Sequence, residues 1–273
     1  MQKEWTGELQ LELTEKKNKT VPADVYFRGA FKVMRPIYLD DSGQLTYYLL
    51  NPGGGYLSGD TYSMDIRVNG NARAILTTQS ATKVYKTPGE PAYQYGKFTL
   101  KSNSLLEYIP DPLIVYREGS YKQLNQFYVD NTSTLICSDI ITPGWSPTGK
   151  QFSYDKVDLQ NEVFIHKELG VFDRVVTEPA KNNPSVFGRM EGYSHLGSMM
   201  VISPYMTDEV IENIYDMMEQ KDVNFGISRC PVPGFSLRIL ANQTQIIEEI
   251  LQMCHGYLRE VWFGMSPVFL RKY

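Results

Sequence analysis

The sequence predicts a mainly β fold, a layered β-sheet scaffold with two helices in the C-terminal third. Three observations carry this. Apolar and polar residues alternate over most of the first two hundred positions, turn signals break those runs at short intervals, and only two segments switch to helical spacing.

Taken in order, Leu9, Leu11 and Leu13 alternate with Gln10, Glu12 and Thr14. Tyr62, Met64, Ile66 and Val68 alternate with Ser63, Asp65 and Arg67, and Ala72, Ala74 and Leu76 repeat the pattern. Tyr93 and Tyr95 continue it, followed by Phe98 and Leu100. A period of two puts one set of side chains in a core and the other in water. Between the runs lie Asp41-Ser42-Gly43, the stretch 51–55, Asn69-Gly70-Asn71, Pro88-Gly89 and Asn182-Asn183-Pro184, all turn-forming compositions. Many short strands at close spacing suit a sandwich, a barrel or a solenoid-like layering. No fixed repeat is visible, so a regular β-helix is not expected.

Residues 207–219 form the first expected helix. Thr207 is its N-cap, Asp208 and Glu209 fill its first turn, and Val210, Ile211, Ile214 and Met218 make its apolar face. The second spans 242–262, with Asn242 and Gln245 in a capping-box pattern. Its apolar stripe runs through Ile246, Ile247, Ile250, Leu251, Cys254, Leu258 and Val261. Both faces are expected to pack on the sheets. No stretch has the composition of a linker, so residues 1–273 are read as a single domain.

The 273 residues carry a net charge of -4 with charges of both signs interspersed, which lacks the basic stripe a nucleic-acid groove needs. The opening MQKEWTGELQ has no apolar targeting core, and no run reaches the roughly 18 apolar residues of a membrane helix. Neither nucleic acid nor membrane is therefore expected as a partner. Cys137, Cys230 and Cys254 are odd in number and widely spaced, which fits a reducing cytoplasm rather than a disulfide framework. The 19 tyrosines suit strands and interfaces alike.

Catalytic patterns are sparse. Gly192-Tyr193-Ser194-His195-Leu196-Gly197 misses a nucleophile elbow by one residue, with no helix behind it. His166, His195 and His255 are scattered, and no Cys-x-x-Cys occurs, so neither structural zinc nor another tightly held cofactor is expected. Glu107 and Asp111 are the carboxylate pair that a β-rich hydrolase or carbohydrate-active enzyme would use. A tyrosine-rich binding module without a metal role is a further alternative. The glycine cluster at 53–59 lacks the Gly-Lys-Ser/Thr ending and following helix of a phosphate cradle. Gly53, Gly54, Gly55 and Gly59 read instead as a structural turn with several positive-φ positions, delivering Asp60 to the start of a strand.

The segment Asn51-Pro52-Gly53-Gly54-Gly55-Tyr56-Leu57-Ser58-Gly59-Asp60 resembles the most characteristic motif of the UreD (UreH) family of urease accessory proteins. Thr77 to Tyr85, Leu106 to Pro112, and Ser138-Asp139-Ile140 with Pro143-Gly144 and Gly149 are similar to three further motifs, in the same order and at similar spacing. Arg35-Pro36, Leu258-Arg259, Trp262 and Pro267 fit as well. Trp145 and Lys150 depart from the Arg and Glu that often follow those glycines in the family.

The resemblance spans nearly the whole chain and implies a non-enzymatic scaffold. Such a protein binds UreF, recruits the GTPase UreG through it, docks on urease apoprotein and passes nickel through a water-filled interior. The residues that match the proposed passage are Asp60, Thr82, Asp139 and Asp173. The lack of His and Cys clusters suits transit, because nitrogen and sulfur ligands would trap nickel whereas spaced oxygens would release it.

Overall fold

A computed structural model describes residues 4–182, 184, 186 and 189–270. The chain runs through β1 (Gly7–Lys16), β2 (Lys19–Gly29), β3 (Lys32–Val33), β4 (Leu45–Leu50), β5 (Thr61–Val68), β6 (Arg73–Thr78), β7 (Thr82–Val84), β8 (Ala92–Leu100) and β9 (Leu105–Tyr108). It continues through β10 (Leu113–Val115), β11 (Ser120–Val129), β12 (Thr134–Ile141), β13 (Lys156–Ile165), β14 (Glu168–Thr177) and β15 (His195–Ile202). Helix α1 (Asp208–Glu219), β16 (Asn224–Arg229), β17 (Gly234–Ala241) and α2 (Thr244–Phe263) complete it.

From β4 to β13 the chain winds as a solenoid. One sheet, A, holds β14-β13-β11-β8-β5-β1-β2, and the other, B, holds β16-β17-β15-β12-β9-β6-β4-β3. Successive long strands fall alternately in the two sheets, and within each sheet the winding strands pair in parallel. Short strands β7 and β10 form a third, narrow side. The coils differ in length. Thr61 pairs with Tyr93, 32 positions on, Ala92 with Tyr121, 29 on, and Tyr121 with Val157, 36 on. Unequal corner loops hide the repeat from a search for a fixed period, although the layering is solenoidal.

The burial patterns follow from what covers each sheet. Sheet A has one face on the core and one in water, so β8 alternates strictly between buried and half-buried residues. Sheet B is covered on both faces, by sheet A on one side and by α1 and α2 on the other. Its strands β4 and β12 are accordingly buried almost throughout, as expected of a strand that packs on both sides. Two cores result. Leu9, Leu11, Leu13, Met64, Ile66 and Phe98 belong to the core between the sheets. Ile136, Val201, Leu237, Ile214, Ile250 and Leu258 belong to the core between sheet B and the helices.

Several expectations are corrected. In β8 it is Ala92, Gln94, Gly96, Phe98 and Leu100 that turn inward, while Tyr93 and Tyr95 face out. The tyrosines are of opposite parity to Phe98 and Leu100 and cannot share their face. Helix α2 begins one residue later than expected, with Gln243 at the cap position and no side-chain cap bond. The Asn242 carboxamide instead accepts the backbone N–H of Ser194 at 3.1 Å, so the capping box does not form. Thr207 occupies the α1 cap position but likewise makes no cap bond. Val261 is exposed rather than on the buried stripe. Of the turn at 182–184, Asn183 lies outside the described residues.

Candidate functional site

The four corner segments, distant in sequence, stack in space because each leaves sheet B at the same side of successive coils. Tyr56 bridges to Val84, Val84 pairs with Val115, and Tyr116 bridges to Trp145. Backbone bonds tie the layers: Tyr56 N–H to Lys83 O at 2.8 Å, Thr82 N–H to Pro112 O at 3.0 Å, and Trp145 N–H to Val115 O at 3.1 Å.

The glycine cluster opens this stack. Gly54 has φ +76°, a conformation that costs a residue with a Cβ. Gly55 has ordinary φ but no room: a Cβ would meet Lys83 O at 2.8 Å and the Tyr85 ring at 2.7 Å. Gly59 also has positive φ, whereas Gly53 does not and donates its N–H to Asn51 Oδ1 at 3.1 Å.

Behind the corners, between the sheets, lies a cavity of about 100 Å³, room for several waters. Its lining draws on all four segments, with Tyr56, Thr82, Asp111 and Asp139 among them. A chain of oxygens and amides crosses it. Tyr56 Oη donates to Gln94 Oε1 at 2.6 Å, and Tyr121 Oη donates to Gln123 Oε1 at 3.0 Å. Gln94 Nε2 reaches Gln123 Oε1 at 3.5 Å, and Gln123 Nε2 reaches Asp139 Oδ1 at 3.5 Å. Asn161 Nδ2 donates to Asp139 Oδ2 at 3.4 Å, and Asn125 Nδ2 to Asn161 Oδ1 at 2.9 Å. Burial pushes the Asp139 carboxyl up to about 6, even with Asn161 and Gln123 donating to it. Burial raises the Tyr56 and Tyr121 phenols well above their ordinary range, so both are neutral dipoles at physiological pH.

Of the four residues singled out in the sequence, Thr82 and Asp139 line this cavity. Asp60 is half-buried outside the lining, where its Oδ2 accepts the Leu57 N–H at 2.8 Å and the Tyr62 hydroxyl at 3.3 Å. Tyr62 stacks on Tyr56 with 4.0 Å between ring centroids, so Asp60 reaches the cavity wall through two phenol rings. Asp173 is paired in register with Asn161 and forms an ion pair with Arg238. The amides Gln94, Gln123, Asn125 and Asn161 escaped sequence reasoning. The available signal was parity: they occupy inward positions of β8, β11 and β13 that alternation reserves for apolar residues.

The opposite face of sheet B carries a second buried polar group. Glu107 is inaccessible to solvent, as is Arg259 of α2. Arg259 Nη1 donates to Glu107 Oε1 at 2.6 Å and Oε2 at 2.9 Å, and to Gln44 Oε1 at 2.6 Å. His255 Nε2 lies 2.8 Å from Glu107 Oε2, and Arg259 Nη2 reaches Asp40 at 3.1 Å. Burial alone would raise the Glu107 carboxyl, but His255 and Arg259 outweigh it and hold it below its ordinary value. Glu107 is thus locked in a structural network, while Asp111 lines the cavity and accepts the Thr78 hydroxyl at 2.9 Å. The two do not form the paired carboxylates of a hydrolase. Ser194 and His195 do contact each other, Oγ to Nδ1 at 2.8 Å, but the hydroxyl is buried against Asn242 as well. Among the described residues, no three His, Cys, Asp or Glu side chains gather to hold a metal.

The family model described as "UreD urease accessory protein" matches residues 6–272. The chain belongs to the UreD family. A urease accessory protein UreD of Lachnoclostridium phytofermentans is 45% identical over 271 residues, covering 98% of this chain and 99% of the relative. UreD accessory proteins of Staphylococcus saprophyticus and Staphylococcus aureus are 42% and 41% identical, the former covering 98% of both chains, the latter 100% of this chain and 99% of its own. In this UreD-family chain the four motif segments are therefore neighbours around one cavity. Among the described residues, no helix is long and apolar enough to cross a membrane.

Proposed function

We propose that this chain is a cytoplasmic, non-catalytic maturation factor for urease, and that nickel crosses its interior on the way to the urease active site. It acts as one unit, a scaffold that binds UreF, holds the GTPase UreG through UreF, and docks on urease apoprotein. One observation carries the reading: the four segments that mark the family converge on a cavity lined by oxygens and amides, with Asp111 and Asp139 as carboxylates in its wall. An ion entering a protein interior sheds part of its hydration shell, and a carboxylate offsets that cost. Two spaced carboxylates, Asp111 already engaged by Thr78, with neutral dipoles and water hold nickel weakly enough to let it leave. No tightly bound cofactor is part of this reading. Nickel is cargo, Thr82 and Asp139 line its route, and Asp60 and Asp173 stand at its flanks.

The test is urease activity per assembled complex in a reconstituted system, with complex yield measured separately. Asp139→Ala is expected to lower activity per complex without lowering yield, and Thr82→Ala to do so less, because a hydroxyl supplies only a dipole. Activity that falls only in step with yield would leave the scaffold and remove the passage. A chain that forms no stable complex with UreF would remove the scaffold.

A further inference from the structure

Beyond the cavity, at the far side of Asp139, the interior holds a permanent positive charge. Ser198 pairs in register with Asp139 on one side and with Arg238 on the other, so the three form a row across β12, β15 and β17. Facing them on sheet A, Asn161 pairs with Asp173. All five side chains turn inward. Cys137, Ile141, Met200, Val163, Val171 and Val175, two residues away along their strands, belong to the core between the sheets. Leu237 and Ile239, flanking Arg238, belong to the opposite core. The two rows are joined: Asn161 donates to Asp139 at 3.4 Å, and Arg238 pairs with Asp173 through Nη2 while donating to Ser198 Oγ through Nη1.

We propose that Arg238 is a built-in counter-cation that keeps the interior carboxylates Asp139 and Asp173 from trapping a divalent ion. The proposal rests on the nickel-transit reading and adds what sets the strength of the interaction. Two carboxylates, the Ser198 hydroxyl and water are a sufficient oxygen donor set for a divalent cation. With both acids ionised and unbalanced, such a group would hold its ion. The guanidinium removes one negative charge from the group and repels the incoming cation at short range, an effect that partial solvent access weakens without abolishing. Arginine suits this because it does not lose its proton in proteins. Arg238 and Asp173 are both partly accessible, at 31% and 21%, so the balanced pair stands where the interior meets solvent.

The test is Ni²⁺ affinity of the full chain by titration calorimetry at pH 8, above the value of about 6 to which burial pushes Asp139. Arg238→Gln and, as a second neutral variant, Arg238→Met are expected to bind Ni²⁺ at least about tenfold more tightly than the unaltered chain, while Arg238→Lys, which keeps the charge, stays within about twofold. Adding Asp173→Asn to Arg238→Gln returns the affinity toward that of the unaltered chain. Despite binding more ion, the neutral variants activate urease less per assembled complex. Unchanged affinity in both neutral variants, an Arg238→Lys affinity as tight as theirs, or tighter binding with full activation would each overturn the proposal. Failure of the transit reading is separate: it shows as full activation per complex by Asp139→Ala, whatever the affinity of the Arg238 variants.

Discussion

Sheet B places two inward carboxylates on neighbouring strands, fully buried Glu107 on β9 and half-buried Asp139 on β12, but on opposite faces, and the faces treat them in opposite ways. On the helix side Glu107 meets a guanidinium and an imidazole at hydrogen-bond distance, and its carboxyl is held low. On the solenoid side Asp139 meets only amides at the limit of hydrogen bonding, and burial pushes it up to about 6. The first arrangement fixes α2 to the sheet. The second leaves an under-compensated acid facing space that water can fill. Full compensation makes structure, and partial compensation leaves a carboxylate that resists ionising.

The largest expected effect lies on the locked side. Arg259→Ala strips the buried Glu107 of its guanidinium and leaves His255 as its remaining partner, which costs about 3–5 kcal/mol of stability. Replacing Glu107 and Arg259 together by Leu and Met should recover most of that loss in urea unfolding, because no orphan charge remains. Equal losses in the single and double variants would show that packing of α2, not charge, is at stake.

The two acids also differ in sign with pH. Glu107 lies low in the fold, so its contribution is present above the ordinary glutamate value of 4.5 and is lost as pH falls through the folded value. Asp139 is raised from 3.8 to about 6, so its contribution is full below 3.8 and is lost as pH rises through about 6. Asp139→Asn should therefore stabilise the fold at pH 8 by up to about 3 kcal/mol and by little at pH 4, while lowering urease activation per complex. Thermal unfolding at the two pH values checks this. A loss of stability at pH 8 would mean that the ionised carboxylate is satisfied after all.

Smaller effects separate the corner glycines. Gly55→Val forces a Cβ against Lys83 O and the Tyr85 ring and should cost about 1–3 kcal/mol, whereas Gly54→Ala strains only the backbone, at about 1–2 kcal/mol. Gly53→Ala should stay within about 0.5 kcal/mol, since φ is ordinary there. Chemical denaturation ranks the three. Equal costs at all three positions would mean that the loop acts as a rigid block.

How much was legible follows from the same contrast. The alternation of β1 and β5 and the stripes of both helices announced themselves, because each has one apolar side and one wet side. The winding did not, since coils that advance by 32, 29 and 36 positions carry no common period. The inward face of β8 was misread because Gln94 and Gly96 occupy core positions next to outward tyrosines. The motif segments pointed to Thr82 and Asp139, but the amides around them and the Glu107–Arg259 lock depend on contacts between distant coils, which no local pattern encodes.

That lock spans long stretches of chain: Arg259 grips Glu107 across 152 positions and Gln44 across 215. During synthesis the early coils can stack on one another as they emerge, but their buried acid has no countercharge until the last helix arrives. A nascent or truncated chain is therefore a wound but unfastened coil, with the helix-side face of sheet B open to solvent. Synthesis of α2 is the event that closes it, so this face of sheet B is finished only when the segment 244–263 has been made and docked.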